Sequence, residues 1–531
     1  MLAAHQTEAV QRVLELLAAR RAVLLADDVG LGKSFVAAEV MRRHREVELV
    51  VPAALIGQWK ETLASFGAEA TILTHDALAA APCYPEPRER VVVVDEAHAF
   101  RNPLTRRYAA LARRTVGARV LLITATPVCN GPGDLEALLR LIARDDLLSR
   151  EGVPSIDAAF ALRDVVAIGV IVDALVIRRD RTVLPAALQF GELERRVIRH
   201  PVLEATGIDT LQFPLTGDRA LLRRFLWRRL ESSEAALSES LRRQLRFYER
   251  ALAAIAAGRT LPKRDYRRAF GQEEDRDAFQ EVLFWDFFAP AGDGDPQAIR
   301  EEMTRVDALL ETARQSPCVK RQMLAGLVRR LTEPMLIFTG SAATARDLHE
   351  TLKGLRKCGL VTARERSREG VLRAFRQEAL DLIVSTDMAA EGLNLQRAGV
   401  VVHYDLPWNP AKLDQRNGRA HRIGQKRDAV QAIYFLPRNR GTRIVETIAR
   451  KNRARRRTLR GGGAPPDLRP RTLRPRLTSD AAVTRLRIDT PDVLGRRHKA
   501  GIELLIEEMS REYLDRRRLD DLVALATAEV E

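Results

Sequence analysis

A glycine-containing turn before Lys33 and Ser34 is the first segment of this sequence whose residue types could do chemistry. The chain leaves the apolar run AVLLAD (22–27) and passes through VGLG to these two residues. The backbone N–H groups of such a turn, with the N-terminus of the next helix, form a cradle for phosphate. Lys33 would reach the β- and γ-phosphates of a nucleotide, and Ser34 would bind Mg²⁺. The strict pattern has glycine where this chain has Asp27, so a tight strand-to-helix turn is the alternative interpretation.

Two adjacent carboxylates, Asp95 and Glu96, follow a run of four valines. Because the carboxyl ends of parallel strands face the ligand crevice, we expect these acids beside the phosphate turn. Asp95 would hold the metal ion, and Glu96 would polarise the attacking water. His98 is expected to link this nucleotide site to Thr124 and Thr126, which follow another apolar run.

Two arginines, Arg419 and Arg422, lie far along the chain in the string QRNGRAHR, which begins at Gln415. On a helix, positions i and i+3 share a face, so both guanidinium groups could converge on one anion. An arginine finger spreads the charge of the γ-phosphate in this way and can contribute about 10³–10⁵-fold in rate. An isolated pair would equally fit a solvated helix face. Together with Lys33 and Glu96, the pair predicts an active site that two lobes share.

Two parts of the chain alternate short apolar runs with helical patterns, and these parts must position the residues above. Such runs, bounded by polar or turn residues, are typical of strands buried on both faces of a parallel sheet. In the first part they lie at 22–27, 47–52, 70–75, 90–98 and 119–127. In the second part they lie at 334–340, 380–387, 399–405 and 430–436. The predicted fold class is α/β, with doubly wound parallel sheets.

We divide the chain into five parts on these patterns. They are a first lobe (1–200), a helical insertion or protrusion (201–315), a second lobe (316–450), a basic Gly/Pro-rich linker (451–495) and a C-terminal helical segment (496–531). The insertion contains an Arg-dense helical stretch at 217–258, which could contact DNA or form a solvated hairpin. It also contains an aromatic cluster at 284–288, which is predicted to be buried core.

Composition and charge narrow the class of function. The chain has 531 residues, 46% hydrophobic and 30% charged, with a formal net charge of +16. This apolar content excludes global disorder, and the positive balance favours a polyanionic partner such as nucleic acid. Because most of the positive charge is arginine, a GC-rich genome is the alternative source of the excess. The four cysteines form no CxxC pair, so neither a disulfide framework nor a zinc site is predicted. No membrane helix or secretory signal is visible, which favours the cytoplasm.

Taken in order, the motifs resemble those of the Swi/Snf-type ATPases of helicase superfamily two. The resemblance covers about residues 1–440 and is to a small bacterial-type member without an N-terminal accessory domain. It is carried by HQ near the start, DDVGLGKS, VVPAALIGQW, DEAH, TATP, LIFTG and the string AAEGLNLQ…YDLPWNP…QRNGRAHRIGQ. The family usually has aspartate at the position of Asp27, which therefore becomes part of the match. The resemblance implies two RecA-like lobes with an inserted helical region and a helical C-terminal extension.

The resemblance also implies a role for each matching residue. Gln6 would read adenine, and the phosphate loop would comprise Asp27, Asp28, Val29, Gly30, Leu31, Gly32, Lys33 and Ser34. The second lobe would complete the site with Gln415, Arg419 and Arg422. Coupling between the nucleotide and nucleic-acid sites would involve His98, Thr124, Thr126 and Gly392. The nucleic-acid backbone would be contacted by Pro52, Gln58, Trp59, Thr74, Thr339 and Thr386, with a packed helix aromatic as the alternative for Trp59. Residues 171–185 resemble the Leu-Arg-Arg segment that closes the first lobe.

The expected function is that of an ATP-dependent nucleic-acid motor that uses ATP and Mg²⁺. The resemblance implies a double-stranded DNA translocase, acting as a monomer, which grips the backbone without sequence preference and remodels protein–DNA complexes. A helicase that separates strands of DNA or RNA is one alternative. A non-hydrolysing nucleic-acid-binding scaffold is the other, and the presence of Lys33, Glu96 and Arg419 argues against it.

Overall fold

A computed structural model describes most of the two predicted lobes and the helices between them. The described residues are 2–80, 90–128, 131–179, 191–203, 207–215, 219–259, 295–362, 368–387, 395–407, 410–422 and 425–438. Gly392, the aromatic cluster at 284–288, the predicted linker at 451–495 and the predicted helical segment at 496–531 lie outside these residues.

The first lobe is built on a six-stranded parallel sheet with the order β3-β2-β4-β5-β1-β6. Its strands are β1 (Ala22–Leu25), β2 (Val47–Val51), β3 (Thr71–Thr74), β4 (Val91–Val94), β5 (Arg119–Ile123) and β6 (Val176–Ile177). Its helices are α1 (Ala4–Arg20), α2 (Lys33–Arg42), α3 (Ile56–Phe66), α4 (Arg106–Thr115), α5 (Pro132–Arg140), α6 (Ile156–Ala161) and α7 (Val165–Leu175).

Helices cover both faces of this sheet, which explains the continuous apolar runs in the sequence. In β1, Leu24 packs into one core cluster with side chains of α4 to α7. Its neighbours Val23 and Leu25 pack into a second cluster, with side chains of α1 to α3. Since successive side chains of a strand point to opposite faces, a strand between two helical layers needs apolar residues at every position.

The helices of the insertion have a hydrophobic core of their own. They are α8 (Gly207–Thr210), α9 (Arg219–Ser232), α10 (Glu234–Ala256) and α11 (Pro296–Gln315), and all four contribute to one cluster. Leu226 and Leu230 of α9 are buried in this cluster, as a core stripe requires. Ser233 separates α9 from α10, and its hydroxyl accepts a hydrogen bond of 3.0 Å from the N–H of Ala236. The Arg-dense stretch is therefore a pair of packed helices with a capped break between them.

The second lobe has another six-stranded parallel sheet, with the order β7-β12-β11-β8-β10-β9. Its strands are β7 (Glu192–His200), β8 (Met335–Thr339), β9 (Cys358–Val361), β10 (Leu382–Thr386), β11 (Val400–His403) and β12 (Ala429–Pro437). Its helices are α12 (Val319–Arg330), α13 (Ala342–Leu352), α14 (Arg368–Arg376) and α15 (Pro410–Asn417). Two core clusters lie on opposite faces of this sheet, so this lobe is layered like the first.

The predicted fold class, two parallel-sheet α/β lobes with a helical region between them, is confirmed. Each apolar run that predicted a strand forms one, whereas β6, β7 and β9 were not predicted. β7 is an edge strand with several exposed charged residues, and β6 has only two residues, so neither produces a continuous apolar run. β7 lies within the segment predicted as the first lobe, but it pairs with β12 of the second sheet.

In the part of the chain that the structure describes, no helix combines the length and the apolar character needed to cross a membrane.

Candidate nucleotide site between the two lobes

The phosphate turn connects the end of β1 to the start of α2. Gly30 and Gly32 have φ angles of 95° and 81°, a region that only glycine adopts readily. A Cβ atom on Gly32 would lie 2.3 Å from Nε2 of Gln6, so the close approach of this side chain also requires glycine. Lys33 begins α2, which places the lysine and Ser34 at a helix N-terminus. The turn is therefore a backbone cradle of the kind that binds phosphate.

The start of α1 lies directly on this turn. The side chains of His5 and Gln6 both contact the carbonyl oxygen of Leu31, at 3.2 and 3.3 Å from their Nε2 atoms. The Oε1 atom of Gln6 accepts a 3.0 Å hydrogen bond from the N–H of Ala3. Gln6 is thus held beside the turn by both ends of its amide, and its contact with adenine stays a prediction.

Lys33 is folded onto its own turn. Its Nζ atom donates hydrogen bonds of 2.7 and 3.1 Å to the carbonyl oxygens of Asp27 and Asp28. Burial lowers the pKa of this ammonium group, and the surrounding carboxylates, including Asp95 and Glu96, oppose that effect. A phosphate is a stronger acceptor than a carbonyl oxygen, so the cation is positioned to exchange these bonds for phosphate oxygens.

Asp27 makes an ion pair that the sequence analysis did not predict. Its carboxylate is fully buried, accepts a 2.9 Å hydrogen bond from the N–H of Arg179, and forms a bidentate ion pair with the guanidinium group of Arg179. The same guanidinium group donates to the carbonyl oxygen of His5. Arg179 therefore joins the phosphate turn to the start of α1. It lies in the segment that resembles the family's Leu-Arg-Arg motif, which was the available signal.

The two acids after β4 are held in different ways. Asp95 accepts a 2.8 Å hydrogen bond from the indole N–H of Trp59 and a 2.9 Å bond from the N–H of Glu96. Burial and the charge of Glu96 raise the pKa of Asp95. Burial alone would also raise the pKa of Glu96, but His98, Arg419 and Lys33 outweigh it and hold that pKa below its usual value. The arrangement keeps Glu96 ionised, as a group that accepts a proton from water must be.

The residues predicted to couple the sites form a chain of contacts that begins at Glu96. The Nδ1 atom of His98 lies 3.2 Å from Oε2 of Glu96 and 3.3 Å from the hydroxyl oxygen of Thr124. That hydroxyl oxygen accepts a 3.1 Å hydrogen bond from the N–H of Thr126. The structure thus brings three of the four predicted coupling residues together, and the fourth, Gly392, is not described.

Arg419 of the second lobe lies near Glu96 of the first, and Arg422 lies near Arg419. Arg419 is close enough to lower the pKa of Glu96. Burial and, to a smaller extent, the charge of Arg419 lower the pKa of Arg422 to about 10. A Cβ atom on Gly418 would lie 2.3 Å from Cγ1 of Val29 in the phosphate turn, so the two lobes touch beside the arginines. The predicted shared helix face is wrong in detail, because α15 ends at Asn417 and the arginines lie in the turn that follows.

Two residues that the sequence analysis missed anchor this arginine-bearing segment to its own sheet. The guanidinium group of Arg416 is 3% exposed and contacts Asp387 at 2.5 and 2.9 Å. The side chain of Asn417 lies 2.8 Å from Nε2 of His403 and donates a 3.0 Å hydrogen bond to the hydroxyl of Tyr434. Arg416 and Asn417 thus hold the end of α15 against its own sheet, whereas Gln415, Arg419 and Arg422 are half-buried.

The predicted nucleic-acid contacts fall into two groups. Pro52, Gln58 and Thr74 are half-buried or exposed, near the carboxyl ends of β2 and β3. Trp59, Thr339 and Thr386 are at most 1% exposed, so their side chains offer no contact surface in this structure. Trp59 is packed in the core of the first lobe and bonded to Asp95, which matches its alternative interpretation. Thr339 donates its hydroxyl proton to Asp405 at 2.6 Å.

The oxygen atoms beside the phosphate turn fit a magnesium ion that a nucleotide brings with it. Among the described residues there is no group of three or more histidine, cysteine or acidic side chains that could hold a metal by themselves. Mg²⁺ is usually bound through one or two protein oxygens, with phosphates and waters completing its octahedron. Ser34 and Asp95 supply a hydroxyl and a buried carboxylate of this kind.

Comparisons with known proteins give two family matches. Residues 319–424 match the model of the helicase conserved C-terminal domain, and residues 84–152 match the model of the SNF2-related domain. The first contains the arginines, and the second contains the two acids and the Thr124 and Thr126 string.

Two bacterial relatives match over most of this chain. An uncharacterised ATP-dependent helicase, YqhH of Bacillus subtilis, is 25% identical over 470 residues, covering 80% of this chain and 73% of YqhH. The RNA polymerase-associated protein RapA of Vibrio cholerae is 26% identical over 479 residues, covering 78% of this chain. The match covers 46% of RapA, so this chain spans less than half the length of that relative. The solved helicase domain of Pyrococcus furiosus Hef aligns with 82% of this chain and 95% of its own, at 16% identity and a TM-score of 0.37.

Proposed function

Because the chain is a Swi/Snf-type member of helicase superfamily two, with an SNF2-related and a helicase C-terminal domain, we propose that it is an ATP-driven nucleic-acid motor. We infer that it translocates on double-stranded DNA and remodels protein–DNA complexes. The observation that supports this most directly is the contact between the lobes at Gly418 and Val29, beside which Arg419 is near enough to lower the pKa of Glu96. An active site divided in this way makes hydrolysis depend on how the lobes are placed.

Hydrolysis requires water to attack the γ-phosphate as the bond to the ADP oxygen breaks. Glu96, which the cations around it keep ionised, accepts the proton of the attacking water. Lys33 and the backbone of the phosphate turn hold the phosphates, and Arg419 and Arg422 stabilise the charge that develops on the transferred group. Ser34 and Asp95 would hold Mg²⁺, which would neutralise charge on the phosphate oxygens when bound.

The division of the site converts turnover into movement. If both lobes grip one strand, closing on ATP and opening after hydrolysis shifts one grip past the other. Pro52, Gln58 and Thr74 provide accessible positions on the first lobe. A formal net charge of +16 favours a phosphate backbone as the track, and backbone contacts carry no sequence preference.

The name of one relative suggests which DNA-bound protein this chain could act on. RapA is named as RNA polymerase-associated, and we propose that this chain acts on a DNA-bound protein complex, with RNA polymerase as the first candidate. The predicted monomeric state and the predicted cytoplasmic location stay predictions.

The decisive experiment measures ATP turnover with no nucleic acid, single-stranded DNA, double-stranded DNA and RNA. We expect double-stranded DNA to stimulate turnover most, and added salt to reduce this stimulation because phosphate contacts release counterions. Equal turnover with and without every nucleic acid would contradict the motor proposal. Stimulation by RNA alone would contradict the choice of DNA while leaving a motor.

Strand separation is the second candidate, because YqhH is named as a helicase and the C-terminal domain matches a helicase model. A forked duplex with a labelled strand distinguishes the two activities. Release of the strand in the presence of ATP would favour the helicase. Displacement of a bound protein roadblock without strand release would favour the translocase.

A further inference from the structure

The residues at the break between the two Arg-rich helices of the insertion, α9 and α10, are hydrogen-bonded to the second lobe. The hydroxyl of Ser232, the last residue of α9, donates a 2.6 Å hydrogen bond to Oδ2 of Asp405. It also lies 2.8 Å from the hydroxyl of Thr344, which is 2.7 Å from the hydroxyl of Ser233. Ser232, Ser233 and Thr344 are all buried. The insertion is therefore attached to the lobe through directional hydrogen bonds between buried hydroxyl groups and a partly buried carboxylate.

Asp405 also binds residues of its own lobe. Besides Ser232, its carboxylate accepts hydrogen bonds from the hydroxyl of Thr339 at 2.6 Å and the N–H of Gly340 at 2.8 Å. Nη2 of Arg416 lies 3.4 Å from Oδ1 of the same carboxylate, and Nη1 donates to its backbone carbonyl at 2.6 Å. One partly buried carboxylate thus joins the insertion, the end of β8 and the helix α15.

Arg416 connects Asp405 to the segment that bears Arg419 and Arg422. It lies in α15 beside Gln415 and three residues before Arg419, and its remaining bonds are to Asp387. The cation is buried, so its position is set by Asp387 and Asp405 together. If Asp405 loses a hydrogen-bond partner, we expect the position of the Arg416 side chain to change, because Arg416 contacts Asp405 directly. The turn that bears Arg419 and Arg422 follows Arg416 in the chain.

Lys320 forms a second fastening at the same place. Its Nζ atom donates hydrogen bonds of 2.6 and 3.0 Å to the carbonyl oxygens of Glu231 and Ser232, which lie at the end of α9. The same atom lies 4.1 Å from the ring centroid of Tyr404, the residue before Asp405. Two residues thus hold the end of α9 against the segment that contains Asp405: Lys320 through the backbone of α9, and Ser232 through its own hydroxyl.

We propose that Asp405 is a positioning residue, which couples the seating of the helical insertion to the placement of the arginine-bearing segment. The catalytic consequence of this inference rests on the proposed function. The structural coupling between the insertion and the arginine-bearing segment does not. A load on the insertion, from nucleic acid or a bound protein, would draw Ser232 away from Asp405 and change how Arg416 is held. The accessory helices would in this way adjust the arginines that complete the nucleotide site.

Hydrogen exchange on the full chain tests the coupling without any need for turnover. Ser232→Ala removes one bond to Asp405. Ser240→Ala is the matched control, because Ser240 is a buried serine of α10 whose hydroxyl, within the described residues, bonds the carbonyl of Ala236 in its own helix. Losing the bond in S232A is expected to raise amide exchange in peptides covering 410–417 by about fivefold. S240A should leave these peptides unchanged. Faster exchange confined to 219–256 in S232A would overturn the proposal.

Turnover measures the catalytic consequence. S232A is expected to lower kcat severalfold while the KM for ATP stays the same, since the phosphate turn lies in the other lobe. Ser232→Thr keeps a hydroxyl at this position and should restore both kcat and slow exchange at 410–417. Wild-type exchange in S232A would refute the coupling, whereas absence of turnover in the unsubstituted chain would refute the proposed function and leave the exchange result standing.

Discussion

Glu96 is the residue whose surroundings say most about its chemistry. It adopts a φ angle of 49°, in a region that costs a residue with a side chain about 1–3 kcal/mol. Its carboxylate contacts His98 and lies under the influence of Arg419 and Lys33. Strained backbone that is held against a set of charges is typical of active sites. We interpret the strain as the means by which the carboxylate turns from its strand toward the cleft.

Glu96→Gln should abolish hydrolysis while leaving ATP binding intact. The amide keeps the size of the side chain but cannot accept the proton, so turnover is expected to fall about 10²–10⁴-fold. ATP affinity, measured by calorimetry, should change little. Glu15→Gln, the same substitution at an exposed position of α1, serves as the control and should turn over normally. Near-normal turnover in E96Q would remove this residue from its proposed role.

Among the elements, the short strand β6 and the segment after it hold the phosphate turn in place. The N–H of Ala26 donates to the carbonyl of Ile177 at 2.7 Å, and the N–H of Asp28 donates to the carbonyl of Arg179 at 2.9 Å. The bidentate pair between Asp27 and Arg179 completes this edge. The next described residue, Gly191, precedes a strand of the second sheet. The phosphate turn is therefore bonded to the last described segment of the first lobe before the second sheet begins.

Arg179→Ala should weaken ATP binding about tenfold or more, because hydrogen bonds to charged groups contribute about 1.5–3 kcal/mol each. The loss should be visible in both the dissociation constant and the KM for ATP. Arg178→Ala is the matched control, since Arg178 is the exposed neighbour in the same segment and should retain normal affinity. Equal ATP affinity in the two variants would show that the Asp27 pair does not shape the phosphate turn.

At the scale of the whole molecule, two glycines mark places where the described residues of the two lobes approach each other. A Cβ atom on Gly418 would meet Val29 at 2.3 Å, and one on Gly57 would lie 3.8 Å from Oε1 of Glu369. The first contact lies beside the nucleotide site, and the second joins α3 to α14. Because the first leaves no room for an added methyl group, the spacing of the lobes at the site depends on a glycine.

Gly418→Ala should force the lobes apart at the nucleotide site, since overpacking of this kind costs about 1–3 kcal/mol. We expect kcat to fall about tenfold with little change in ATP affinity, which the first lobe provides. Val29→Ala removes the opposing methyl groups, so the double variant V29A/G418A should recover turnover. Comparison with V29A alone separates this relief from an independent effect, and no recovery in the double variant would contradict the steric explanation.

Much of this molecule could be predicted from local patterns. Continuous apolar runs predicted the strands buried in both sheets, because a strand between two helical layers is apolar at every position. The motifs placed the phosphate turn and the acids at 95–96 at the ends of strands, as the structure has them. The arginines were expected on a helix face, but they lie in the turn after α15, where Arg419 is near Glu96. Edge strands such as β7 escaped notice because one exposed side permits charged residues.

Tertiary structure alone decided which of the polar residues hold others in place. Arg179 and Asp27 are 152 positions apart, and Ser232 and Asp405 are 173 apart. No local periodicity links such residues. Trp59, Thr339 and Thr386 belong to motifs at strand and helix ends, yet the packing around them buries their side chains. A motif determines which chemistry a segment can do, whereas burial and long-range hydrogen bonds determine which of its side chains remain free to do it.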